Sequence, residues 1–132
     1  MKVLRWVARI LLLVVATSAA AAEPYLFDLL KQRPYRQAWD KMFEGEPRIP
    51  GWLIRFSRVY DGPAQPSREL VIGGARYRLA DVCQPHDCGD NSLVVLFSPG
   101  AQRAWGLLKE DGRRRFLGKP DEAVRRVLAN GL

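Results

Sequence analysis

The chain's two cysteines stand five positions apart, and the stretch they open also holds its only histidine: Cys83-Gln84-Pro85-His86-Asp87-Cys88-Gly89-Asp90-Asn91. Pro85, Gly89, Asp90 and Asn91 are turn formers, each through its own backbone mechanism, so the segment must leave regular structure and form a tight exposed loop. The fold has to deliver the chain to Cys83 and take it away after Asn91.

The flanks read as strands suited to that task. Glu69–Ile72 and Ala75–Val82 lie either side of Gly73-Gly74, a two-residue hairpin signature. Ser92–Ser98 is nearly all apolar, which predicts a central strand leaving the loop and closed by Pro99-Gly100. Ala104–Lys109 and Arg113–Leu117 flank Asp111-Gly112, a second hairpin signal. Trp52, Ile54 and Phe56 alternate with Leu53, Arg55 and Ser57, which predicts a further strand ahead of a loop at Asp61–Ser67.

Helices are expected at both ends. Pro24 suits a first helical turn, and Pro34 interrupts or restarts the helix. Tyr35, Ala38, Trp39, Met42 and Phe43 then fall on one helical stripe, spaced for burial in a core, with Gly45 at the stop and Pro47 and Pro50 beyond it. Pro120, Asp121 and Glu122 open a last helix whose buried face is Val124, Val127 and Leu128 and which Asn130-Gly131 ends. The fold class expected is α+β: an antiparallel sheet of about five strands, with N-terminal and C-terminal helices covering one face.

The first residues read as an export signal. Lys2, Arg5 and Arg9 form a positive n-region, Ile10–Ala16 is apolar, and Thr17–Ala22 ends in small residues. The stretch Ile10–Ala22 would make only about 20 Å of helix, against a hydrocarbon core of roughly 30 Å. Cleavage after Ala22 is therefore expected, leaving residues 23–132 as a single domain with no membrane association. Loss of the three basic residues lowers the net charge from +7 to +4. Arginines scattered over hairpins and helices read as a solvated face, and nucleic acid is not an expected partner.

An oxidising compartment favours a Cys83–Cys88 disulfide. Two alternatives stand beside it: a metal site using Cys83, His86 and Cys88, whose spacing matches none of the usual zinc patterns, and a redox pair without the helix-opening C-x-x-C arrangement. No motif calls for a cofactor. An enzyme is a weak reading, because the lone histidine has no sequence-evident nucleophile beside it.

The loop Cys83-Gln84-Pro85-His86-Asp87-Cys88, behind an export signal and within a helix-strands-helix chain of this size, resembles the Ivy family of vertebrate-lysozyme inhibitors from Gram-negative bacteria. Five of the six loop positions match, and Gln84 stands where the family's best-known form has lysine. The resemblance spans essentially the whole mature chain. It implies a periplasmic, non-enzymatic inhibitor whose loop residues Cys83, Gln84, Pro85, His86, Asp87, Cys88 and Asp90 enter the cleft of c-type lysozyme, with His86 between the enzyme's two carboxyl groups. A bacterium's own lytic transglycosylases are the second partner class, because they act on the same glycan. Monomer and homodimer are both open.

Overall fold

The computed structural model describes residues 21–131. The export signal expected at residues 1–22 lies outside the described residues, save for its last two positions. The elements run α1 (Leu26–Leu29), α2 (Arg33–Met42), α3 (Gly51–Val59), β1 (Arg68–Ile72), β2 (Ala75–Cys83), β3 (Ser92–Phe97), β4 (Ala104–Glu110), β5 (Arg113–Leu117) and α4 (Glu122–Ala129), with a 3-10 turn at Pro99–Ala101. All five strands pair antiparallel in chain order, β1-β2-β3-β4-β5, so the sheet is a simple meander within an α+β fold.

Local chemistry accounts for the connections. Gly73 and Gly74 take φ of 57° and 79°, and Asp111 and Gly112 take 49° and 78°. Positive φ at both central residues marks the turn whose twist matches that of the strands it joins. In α2, Pro34 sits in the first turn, where its missing N–H costs nothing. Asp121 caps α4, its carboxylate accepting from the Val124 N–H at 2.9 Å.

The apolar stripe of α2 is buried as its spacing predicts, through Ala38, Trp39 and Met42, with Tyr35 and Phe43 partly buried beside them. Trp39 is 1% exposed and its indole N–H donates to Ser57 Oγ at 3.3 Å, tying α2 to α3. Truncating a tryptophan held like this costs about 3–5 kcal/mol.

Two expectations are corrected. The segment around Trp52 is a helix, not a strand: Trp52, Leu53 and Phe56 are buried while Ile54 is exposed, a helical pattern rather than alternation. Over five residues the two periods look alike. The ends decide, since the Pro50 carbonyl accepts from the N–H groups of Leu53 and Ile54, and Tyr60 closes the helix at φ 49°.

The helices also cover both faces of the sheet, not one. Leu93, Val95 and Phe97 of β3 pack with α1, α2 and α3, whereas Val94 and Leu96 pack with Leu79, Trp105, Leu107 and the α4 residues Val124 and Leu128. Because side chains alternate along a strand, the near-continuous apolar run of β3 already requires two covered faces. Among the described residues no helix is long and apolar enough to cross a membrane.

Candidate functional site

The cysteine loop is the β2–β3 connection. Strand pairing ends at Cys83 opposite Ser92, and the Gln84 N–H donating to the Asn91 carbonyl at 3.0 Å closes the base. Below it, the Cys83 N–H donates to the Pro63 carbonyl at 3.0 Å, so the connection after α3 braces β2. Cys83 and Cys88 are joined by a disulfide across a Cα separation of 4.9 Å, within the ordinary range of about 4.4–6.8 Å. Their sulfurs are therefore not thiolates, which removes the metal-site reading; neither cysteine opens a helix, so the arrangement that makes a redox pair reactive is absent as well.

Inside the ring the chain turns sharply. The Asp87 N–H donates to the Gln84 carbonyl at 3.0 Å, Pro85 occupies the first central position and His86 the second, at φ 65°. Proline followed by a positive-φ residue is the type II pattern, in which the second position normally belongs to glycine or asparagine. A histidine there carries backbone strain that persists only where the surroundings hold it.

Pro85, His86, Cys88, Gly89 and Asp90 are exposed, while Gln84 and Asp87 are half-buried. The expected loop residues thus lie together, but they do not all face outward. Asp87 turns one carboxylate oxygen back onto the Asn91 amide at 2.8 Å, whereas the Asp90 carboxylate makes no hydrogen bond among the described residues.

Two participants escaped sequence reasoning. Asn91, a turn former by residue type, is 4% exposed and lies between the loop and the β4–β5 turn. Its amide nitrogen also donates to Asp111 Oδ1 at 3.4 Å, and its Oδ1 accepts from the Asp111 N–H at 3.1 Å. The second is the β4–β5 turn itself: the Gly112 N–H donates to the Asp90 carbonyl at 3.1 Å and Lys109 Nζ to the Gly89 carbonyl at 2.6 Å. An amide next to the polar end of an apolar strand was the available signal for Asn91. Nothing in the sequence linked Asp111 to a loop some twenty residues away.

Charge is distributed unevenly around this end. Asp87, Asp90 and Asp111 gather at the loop, while an adjoining open hollow of about 840 Å³ is lined by the arginines Arg48, Arg113, Arg114 and Arg115, with Glu110 and Asp111 on its acidic side. Arg115 is committed there, pairing with Glu46 at 2.6 Å and donating to the Arg48 carbonyl. Near the loop base, burial raises the carboxyl pKa of Asp81 above its ordinary value, opposed by the Gln65 N–H at 2.7 Å and by Arg68.

The family model for inhibitors of vertebrate lysozyme (Ivy) matches residues 34–129. A Pseudomonas aeruginosa protein named inhibitor of vertebrate lysozyme is 36% identical, across 89% of this chain and 83% of its own length. An Escherichia coli protein of the same name is 29% identical across 72% of this chain and 57% of its own length. An uncharacterized Yersinia pestis protein is 29% identical across 87% and 80% of the two chains.

Proposed function

The chain belongs to the Ivy family, and from that premise we propose that it is a periplasmic inhibitor of c-type lysozyme, exported through residues 1–22 and without catalytic activity of its own. The observation that carries this reading is His86, exposed at the apex of a disulfide-closed turn and held at φ 65°. A loop already fixed in one shape loses little conformational entropy on entering a cleft.

In a retaining glycosidase the two catalytic carboxyl groups lie roughly 5–5.5 Å apart. One is protonated as general acid and the other ionised. An imidazole placed between them can direct one ring nitrogen at each, and its nitrogens can both donate and accept. Asp90, with a free carboxylate, is the acceptor available to donors on the cleft wall; Asp87 is half spent on Asn91. Lysozymes of this class are basic and so is this chain, so steering has to come from the acids gathered at the loop rather than from net charge.

The test is calorimetry of residues 23–132 against a c-type lysozyme, for wild type and His86→Ala. Truncation strands the enzyme's buried carboxyl groups, so affinity should fall by about 2–5 kcal/mol, more than tenfold. Equal affinity of the two proteins would sink the loop-in-cleft mechanism. A lytic transglycosylase assayed in parallel identifies the target class, since inhibition there and none of lysozyme would reassign the partner.

A further inference from the structure

We infer that Asn91 is the positioning residue for His86: its buried side-chain amide holds the Asp87 end of the Pro85-His86 turn and ties it to the β4–β5 hairpin, while its backbone closes the loop on Gln84 and Asp87. The inference rests on the inhibitory reading of the loop and deepens it. At 4% exposure the Asn91 side chain is shielded from any partner, so whatever it contributes to inhibition must pass through its neighbours.

Those neighbours are the residues that fix the turn. The Asn91 carbonyl accepts from the Gln84 N–H at 3.0 Å, and the Asn91 N–H donates to the Asp87 carbonyl at 3.0 Å. The side-chain nitrogen then takes Asp87 Oδ2 at 2.8 Å. Gln84 and Asp87 are the first and last residues of the turn whose second central residue is His86. The disulfide joins Cys83 to Cys88 outside that turn, so the residues at the turn's own ends are held by their bonds to Asn91. Release of the Asp87 end would let His86 relax from φ 65° to negative φ and redirect the imidazole.

The chemistry of the site selects an amide. On one side its nitrogen faces two carboxylates, Asp87 and Asp111; on the other its oxygen faces the backbone N–H of Asp111. That backbone donor fixes which way the amide points. Aspartate in its place would still accept from Asp111 but would set a third carboxylate against the other two, and alanine would leave the Asp111 N–H unpaired.

A double-mutant cycle separates positioning from general support. Asn91→Ala and Asn91→Asp should each weaken binding to c-type lysozyme by about tenfold or more. In the His86→Ala background, Asn91→Ala should change affinity by less than about threefold, since neighbours acting as one unit are not additive. The amide-to-α-proton coupling of His86 in the free protein, which reports φ, should show one conformer in wild type and averaging in Asn91→Asp.

Wild-type affinity in both Asn91 variants, or an equal loss with and without His86, overturns the positioning role while the loop reading stands. An unchanged His86 coupling in Asn91→Asp overturns it without any reference to lysozyme, and circular dichroism melts confirm that each variant measured is folded. If His86→Ala binds like wild type, the lysozyme reading fails and the positioning role falls with it.

Discussion

The α-carbon of Gly118 lies so close to the main chain of Ala104 that a Cβ added to Gly118 would stand 2.7 Å from the Ala104 carbonyl oxygen. Gly118 also holds φ 77°, where any L side chain is strained. Backbone cannot rotate away as a side-chain tip can, so Gly118→Ala has to separate the ends of β4 and β5. We expect a loss of about 2–3 kcal/mol from the combined strain and overpacking, seen in urea denaturation as a lower midpoint with unchanged slope. A midpoint equal to wild type would show that the sheet end gives way freely.

At φ 65°, the backbone at position 86 should prefer glycine to any L residue. His86→Gly is therefore expected to be more stable than His86→Ala by about 1 kcal/mol, although on the proposed loop-in-cleft reading both lose inhibition with the imidazole. Thermal melts of the two variants check the turn geometry independently of any lysozyme. Equal melting temperatures would argue that the turn relaxes to negative φ.

The six-residue ring closed by Cys83 and Cys88 contributes only about 2 kcal/mol to folding in the chain-entropy account. A Cys83→Ser/Cys88→Ser protein should accordingly stay folded at 25 °C while its inhibition falls by about tenfold or more, because the loop must then be ordered on binding. Urea denaturation beside a lysozyme assay gives both quantities. Full inhibition by the folded, disulfide-free protein would assign the preorganisation to the hydrogen bonds alone.

Asp81 supplies a pH dependence with a definite sign. Burial raises its native pKa above the ordinary carboxyl value, so the native state holds the proton more tightly than the unfolded chain. Its contribution is fully present below the unfolded pKa and is lost as pH rises through the native one. At neutral pH the ionised group is a penalty, and Asp81→Asn, which can still accept from the Gln65 N–H, should be the more stable protein. That advantage should vanish at about pH 3, where both carboxyl states are protonated. Denaturation at the two pH values decides it, and an advantage of the same size at both would exclude titration as the cause.

How far the sequence could be read depended on the length and register of each signal. Two-residue turns with fixed φ demands, Gly73-Gly74 and Asp111-Gly112, placed four strands correctly, and five stripe residues placed α2. The segment Trp52–Phe56 failed because aromatic and branched side chains favour strands locally, whereas its helix is imposed by Pro50, by Tyr60 and by packing against Trp39. The second helical layer is written in the unbroken apolar run of β3, which signals a central strand without naming what covers its second face. At the loop, residue types revealed the ring and the histidine. The clamp through Asn91 joins segments that only the meander brings together, and no local pattern encodes it.

Residues 84–90 belong to neither hydrophobic cluster of the protein, while Val82 and Leu93, just outside them, are buried in the core. The fold and the surface offered to a partner are thus written in separate stretches of chain. If the loop is the inhibitory surface proposed above, mutation can alter Gln84, Pro85 or Asp90 and be judged almost solely by binding, provided that the two cysteines and Asn91 continue to frame the cassette. A lineage could in this way retune what the loop binds without first searching for a new way to fold.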